Sequence, residues 1–308
     1  MAAYDILVAG EINPDLILSG NVEPAFGQVE KLVDSATLTI GSSSAIFACG
    51  AARLGLKVAF IGICGDDLWG HFMLAELKKR GVDVSAVIID PAQTTGLSLI
   101  LARPTDRAIL THAGATAALK AAQVSDELLQ RARHLHVGSY FLQTHLQEGL
   151  PDLFRRAHAV GSTTSLDPNW DPSGAWHGVR EMLPLTDVFL PNEKELLAIS
   201  GQTEINDAAQ LAVEKGCTLA VKCGADGGIA MHKNEFVRQA ALPLEPVDTV
   251  GAGDSFDAGF LYGYLNGWKL ETSLRLAVAC GSLSTRAAGG TAAQPSLAEA
   301  LAYVGIPE

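Results

Sequence analysis

The sequence predicts an α/β protein built on a doubly wound, mostly parallel sheet with helices on both faces, accompanied by a small β-sheet lid. Three observations predict it. From residue 125 onward, short apolar runs alternate with longer amphipathic stretches, which is the rhythm of βαβ units. The runs, such as Ile6-Leu7-Val8-Ala9, are continuously apolar, as strands covered on both faces must be. Two segments outside that rhythm, near 12–40 and 95–112, alternate loosely and contain Gly and Pro, as short strands of a separate small sheet would.

The totals agree with this class. At 308 residues, 48% hydrophobic and 18% charged, the chain can bury a large core, and it reads as a single domain over 1–308 without linkers or repeats. A net charge of −12 argues against a nucleic-acid backbone as partner, because such binding relies on Lys and Arg to displace counterions. The five cysteines lack Cys-x-x-Cys spacing and sit in apolar or small-residue runs, which points to buried thiols in a reducing compartment. The N-terminus shows neither a basic region nor a long apolar stretch, and no later run is long enough to span a bilayer, so a cytoplasmic protein without a membrane partner is expected.

In chain order, Ile6 to Gly10 reads as a buried strand whose end delivers the polar group Asn13-Pro14-Asp15, which alone fits a simple turn. Gly41-Ser42-Ser43-Ser44 caps a small-residue helix that ends near Gly55. Lys57 to Ile63 reads as a strand, and Asp67 opens an amphipathic helix. Residues 97–101 and 107–112 form strands joined through Arg103-Pro104-Thr105-Asp106, and the two hairpin arginines, Arg103 and Arg107, are expected to face solvent. Helices are expected near 126–133, 145–159, 174–183 and 193–199, with strands at 134–138, 162–166, 187–190 and 218–223 between them. A small-residue helix near 271–286 and a capped helix after Pro295-Ser296 close the chain.

The most informative stretch is Asp248-Thr249-Val250-Gly251-Ala252-Gly253-Asp254-Ser255-Phe256-Asp257-Ala258-Gly259-Phe260. Gly251, Ala252 and Gly253 leave the backbone amides of a helix start open to an anion, while Asp254 brings a carboxylate that would repel phosphate unless it accepts a proton from an attacking group. Gly-Ala-Gly-Asp alone is equally an ordinary capped helix. The thirteen-residue string, however, resembles the C-terminal signature of the ribokinase-like (PfkB) carbohydrate kinases. Gly41, Ala45, Ala48 and Ala52-Arg53-Leu54-Gly55 likewise resemble the family's N-terminal signature, with Ser42 for its second glycine and Ile46 for its Asn.

The resemblance implies an ATP-dependent kinase for a hydroxyl of a small sugar, sugar acid or polyol, or for a nucleoside, with the ribokinase-like fold. Asp254 is then the general base, with Gly251, Ala252 and Gly253 as the anion turn. Asn13, Asp15, Gly41, Ser42, Ser43, Ile46 and Ser139 are placed at the acceptor, and Ile46 and Ser139 depart from the ribokinase residues there. Asn192, Lys222, Gly224 and Gly227 are assigned to ATP, Glu195 to Mg²⁺, and a monovalent cation such as K⁺ is expected near Asp248. Asp171 stands where the family carries an Arg. These departures leave room for a ligand-binding protein that has lost the chemistry, but such a protein has no reason to keep Asp254. An open lid sheet with exposed edges is expected to pair with a second copy as a homodimer.

Overall fold

The computed structural model describes residues 2–103 and 106–305. Its strands are β1 (Tyr4–Ala9), β2 (Pro14–Ser19), β3 (Ser35–Ile40), β4 (Val58–Ile61), β5 (Ile63–Cys64), β6 (Ile88–Ile89), β7 (Leu97–Ala102), β8 (Arg107–His112), β9 (Ala132–Val137), β10 (Thr163–Leu166), β11 (Val188–Phe189), β12 (Thr218–Lys222), β13 (Gly228–His232) and β14 (Glu235–Gln239). Its α-helices are α1 (Ser43–Arg53), α2 (Leu68–Lys79), α3 (Asp126–Gln130), α4 (Thr144–Ala159), α5 (Val179–Met182), α6 (Glu193–Ser200), α7 (Ile205–Val213), α8 (Ala252–Leu265), α9 (Leu270–Ser284) and α10 (Leu297–Val304).

The large sheet runs β14-β13-β12-β11-β10-β9-β1-β4. It is parallel from β4 to β12, and the β13–β14 hairpin adds two antiparallel strand pairings at one edge. Successive β1 side chains supply opposite cores: Ile6 and Val8 join α1, α2 and α8–α10, whereas Leu7 and Ala9 join α3–α7. This double covering is why the strands read as unbroken apolar runs. The chain leaves β1 towards β4 on one side and β9 on the other, so a crevice opens at the carboxyl ends of the strands.

A four-stranded sheet, β3-β2-β7-β8, assembles the two segments near 12–40 and 95–112. The β7–β8 hairpin is present, with Ala102 opposite Arg107 and the Arg103 amide donating to the Asp106 carbonyl at 2.8 Å; Pro104 and Thr105 lie outside the described residues. Its two faces differ in chemistry. One carries rows of leucine across all four strands (Leu38, Leu16, Leu99, Leu110), and the other carries Ser19, Ser35, Thr37 and Thr39 with Ile17 and Ile100.

The helix expected over 174–183 is largely absent, because only Val179–Met182 is α-helical. Gly174, Trp176 and Gly178 all adopt positive φ. The Asp171 carboxylate accepts bonds from the amides of Ser173 (2.8 Å) and Trp176 (2.7 Å), winding this stretch into a local turn. Asp171 thus has a structural task where an arginine was to be expected. Helix α7 and the β13–β14 hairpin were not anticipated.

Candidate active site

The glycine string does open a helix. Gly251 precedes α8 in the left-handed region (φ 72°), and a Cβ there would lie 2.6 Å from the Gly290 Cα and 2.9 Å from Ile46 Cγ2, so only glycine fits. No side chain caps α8, and among the described residues the amides of Gly251, Gly253 and Asp254 have no protein acceptor. These are open donors at the positive end of a fourteen-residue helix. Asp254 sits in the first turn, 8% exposed, and lines a cavity of about 490 Å³ with Ser43, Asp167, Asn169 and Lys222.

Carboxyls crowd this end of the sheet around a single ammonium. Lys222 Nζ, at the end of β12, lies 3.1 Å from Asp167 Oδ2 and 3.0 Å from Asp257 Oδ2, one turn along α8 from Asp254. Burial alone would discharge Lys222, but Asp167, Asp257 and Glu195 raise its pKa and keep it charged. Burial works against ionised Asp167 as well, yet the Lys222 charge and hydrogen bonds from its neighbours hold it below the usual carboxylate range. Asp254 and Asp257 go the other way, pushed well above that range by burial, with Asp167 adding to the rise and Lys222 opposing it. An aspartate raised in this way holds a proton more tightly than an ordinary carboxylate, which is the tuning expected of a group that takes up a proton in catalysis.

Asn192 and Glu195 form a capping box at α6. The Asn192 amide donates to Glu195 Oε2 at 2.8 Å, its side-chain amide donates to Oε1 at 2.6 Å, and the Glu195 amide returns a bond to Asn192 Oδ1 at 2.9 Å. Burial, then the Asp167 charge, push Glu195 up to about 7. Gly224 lines the same cavity with positive φ. Gly227 does not line it; a Cβ there would meet the Gln239 carbonyl at 2.1 Å, so its glycine serves the hairpin. Ala225, Ala241, Leu242, Leu244 and Pro246 give the cavity an apolar wall, with Thr249, Ser282 and Thr285 adding hydroxyls.

On the acceptor side the expected residues divide. Asp15 is buried beside Gly41, whose added Cβ would lie 2.1 Å from Asp15 Oδ1; burial pushes the Asp15 carboxyl up to about 6, against the pull of Arg107. Asn13 is buried nearby, making only long contacts to Ser98 Oγ (3.5 Å) and the Pro14 carbonyl (3.4 Å). Ser42 and Ser139 face inward instead. The Ser139 hydroxyl donates to Glu11 Oε1 at 2.9 Å, the Ser42 hydroxyl lies 2.7 Å from the Glu11 backbone carbonyl and 3.0 Å from Oε1, and Ser44 donates to the same carboxylate through its amide (3.2 Å) and hydroxyl (2.6 Å). Ile46 is 3% exposed and packs against Gly251 and Gly290, lining neither large cavity.

Glu11 is the functional-site residue that sequence reasoning missed. Its position next to Asn13 was visible, but its role depends on Ser139, which is 128 residues away. The Asn169 side-chain amide donates to Ser43 Oγ at 2.9 Å and to Ser139 Oγ at 3.1 Å, tying the network to the cavity that holds Asp254. Ser42, Ser139 and Asn169 all hold positive φ, and three strained non-glycine residues on one network are characteristic of a built site.

A second cavity of about 490 Å³ lies under the hydroxyl-rich face of the four-stranded sheet and reaches Asp248, Thr249 and Gly289. Arg103 and Arg107 both line it, so neither faces only bulk solvent as expected. Asp248 accepts from the amides of Val250 (3.0 Å) and Gly289 (2.9 Å), pinning the loop before α8.

The donor set around Asp254 fits a divalent cation bound with phosphates. Asp167, Asp254, Asp257 and Glu195 crowd around Lys222, and the raised pKa values of Asp254, Asp257 and Glu195 mean that one ammonium does not sustain all four as carboxylates, a shortfall that a divalent cation would make up. Among the described residues no cluster of three or more His, Cys, Asp or Glu is arranged to grip a metal by itself. The residues suit a hydrated ion contacted through water rather than an all-protein cage.

Comparison with known proteins agrees with the geometry. The pfkB family of carbohydrate kinases matches residues 4–297. A 5-dehydro-2-deoxygluconokinase of Geobacillus thermodenitrificans is 29% identical over 95% of this chain and 90% of its own. A 2-dehydro-3-deoxygluconokinase of Bacillus subtilis is 32% identical over 79% of each. An E. coli protein solved in complex with ATP and Mg²⁺ shares the fold at a TM-score of 0.89, with 24% identity over 98% of this chain and 99% of that one. With its anion turn and aspartate at the crevice of a doubly wound sheet, the chain belongs to the pfkB family of carbohydrate kinases.

Proposed function

We propose that the protein transfers the γ-phosphoryl group of ATP to a hydroxyl of a small sugar or sugar acid, with Asp254 as general base. The observation that carries this reading is a buried aspartate of raised pKa one turn inside an uncapped helix N-terminus. Asp254 accepts the hydroxyl proton, the acceptor oxygen bonds to the γ-phosphorus, and ADP leaves with the electrons of the broken P–O bond. The free amides of Gly251, Gly253 and Asp254 take up charge on the phosphates. Lys222 holds Asp167 ionised and lowers the cost of ionising Asp254, while Gly224 and the apolar wall from Ala241 to Pro246 accept the rest of the nucleotide.

Glu195 and Asn192 would hold Mg²⁺ through water, and the ion would neutralise phosphate charge. Asp248 and the loop at Gly289 are assigned to a monovalent cation such as K⁺. The acceptor lies between Asn13, Asp15 and Gly41 on one side and Ser43 and Asp254 on the other, held by the Glu11 network. The four-stranded sheet acts as a lid that excludes water, and the 1–308 chain works as one kinase domain. The leucine rows on the sheet's other face support a homodimer formed through the lid, since an apolar sheet face calls for cover. The five free thiols support residence in the cytoplasm.

An ATP-consumption assay over a panel of sugars and sugar acids tests the reading. Turnover with at least one acceptor and its loss in excess EDTA are expected; absence of turnover across the panel, or full activity in EDTA, would contradict it.

A further inference from the structure

Arg107 occupies an unusual place. It starts β8 in register with Ala102, Ser19 and Ser35, on the sheet face that covers the second cavity. Its guanidinium comes within 3.8 Å of Asp248 Oδ1, too far for a hydrogen bond, and both Asp248 oxygens already accept backbone amides. Among the described residues the Arg107 side chain donates no hydrogen bond, and 42% of it remains exposed. Arg103 differs, because Glu23 holds it at 3.0 Å. Arg107 therefore brings a fork of five donors, with no hydrogen bond to the described residues, to a cavity lined by hydroxyls and apolar groups together with Arg103, Asp106 and Asp248.

A neutral polyol would not need that fork. The hydroxyls of Ser19, Ser35, Thr37 and Thr39 can bond a sugar edge, whereas a planar delocalised cation is matched to a carboxylate or phosphate. The acceptor site also has acidic neighbours, Asp15 and Asp248, which would repel an anion unless a cation stood beside them. Asp15 lies opposite Thr39 across β2 and β3, and Thr39 lines the cavity that Arg107 lines, so the guanidinium and the acceptor-side carboxyl flank one space.

We propose that Arg107 forms an anion subsite that binds a carboxylate or phosphate on the acceptor, at the end remote from the hydroxyl that Asp254 deprotonates. This rests on the kinase reading for the position of the acceptor, and it narrows the acceptor class to acidic sugars. Bound there, the anionic group replaces the distant Asp248 as the partner of the guanidinium. It also fixes which hydroxyl is presented to Asp254, because the acceptor is then held at one end by charge.

Calorimetric binding, with a non-hydrolysable ATP analogue and Mg²⁺ present, tests the subsite without requiring turnover. The probes are gluconate and 2-dehydro-3-deoxygluconate for the carboxylate source, ribose 1-phosphate for the phosphate source, and glucitol and ribose as neutral counterparts. At least one anionic probe should bind tenfold or more tightly than its neutral counterpart, and the stronger class identifies the source. Arg107→Gln should erase that advantage without changing affinity for the ATP analogue or the neutral probes, and Arg107→Lys should restore part of it. Equal binding of anionic and neutral probes, failure of every anionic probe to bind, or an advantage that survives Arg107→Gln would overturn the proposal. Efficient phosphorylation of neutral sugars with no anion preference would remove the subsite and leave the kinase reading standing. Arg107-dependent anion binding without phosphoryl transfer to any acceptor would do the reverse.

Discussion

In the proposed mechanism Asp254 is the base, and burial, which opposes its ionised form most, is countered chiefly by the Lys222 charge. Asp167 and Glu11 oppose ionisation, and the Ser43 hydroxyl assists it. Removing the ammonium should leave Asp254 protonated to higher pH. Lys222→Met is therefore expected to shift the acid limb of the kcat/KM profile to higher pH, and Lys222→Arg, which keeps the charge, to shift it much less. A Lys222→Met profile that superimposes on wild type after scaling would remove Lys222 from this role. The resemblance assigns Lys222, beside its glycine turn, to ATP. Its carboxylate partners in the protein, 55 and 35 residues distant, are set by the arrangement of β10, β12 and α8 and were not legible in the sequence.

At the scale of elements, the loop from Gly41 to Ser44 is held by one buried carboxylate at the end of β1. Glu11 receives the hydroxyls of Ser42, Ser44 and Ser139 and the Ser44 amide, and so fixes the start of α1 against the Ser139 turn after β9. Glu11→Ala would strand the Ser44 and Ser139 donors in a buried site, while the Ser42 hydroxyl would keep the backbone carbonyl of residue 11. A loss of about 3 kcal/mol is expected from such stranding, read as a lower denaturant midpoint, together with a raised acceptor KM. An unchanged midpoint would mean that the loop is held by other contacts. The glycines and serines of this loop were legible in the sequence, but their inward orientation was not. Ser42 and Ser139 read as ligands because a hydroxyl at a strand end looks alike whether it meets a sugar or a buried glutamate. Helix α7 and the β13–β14 hairpin went unread for a different reason: the buried face of α7 is made of small side chains, Ala208, Ala209, Ala212 and Val213, and β14 is a largely exposed edge strand.

For the whole molecule, the sequence made the doubly wound sheet and the small sheet legible because both cores impose apolar runs on the strands between them. The charge balance was legible only as a total of −12. The fold concentrates part of that charge around the site, and this has a consequence for stability. Asp15 (about 6), Glu195 (about 7), Asp254 and Asp257 all have folded-state pKa values above their ordinary ones. Their stabilising contribution is complete below the ordinary carboxylate pKa of about 4 and is lost as pH rises through the folded values. Asp67, Asp83, Asp167, Asp171 and Glu76 are lowered and act oppositely, losing their contribution as pH falls below that range. The unliganded protein should therefore melt at its highest temperature on the acid side of neutrality, and Asp254→Asn should melt above wild type at pH 8 but not near pH 4. A constant difference between the two proteins across that range would contradict this distribution of charge.

The central claim is that Asp254 takes the acceptor proton during phosphoryl transfer, and phosphorus NMR of the reaction measures it most directly. With ATP, Mg²⁺ and the best acceptor of the panel, wild type should convert the γ-phosphate signal into ADP and a sugar phosphate ester. Asp254→Asn should bind ATP as wild type does and form that ester at least about a hundredfold more slowly. Ester formation by Asp254→Asn at a rate near that of wild type would contradict the account.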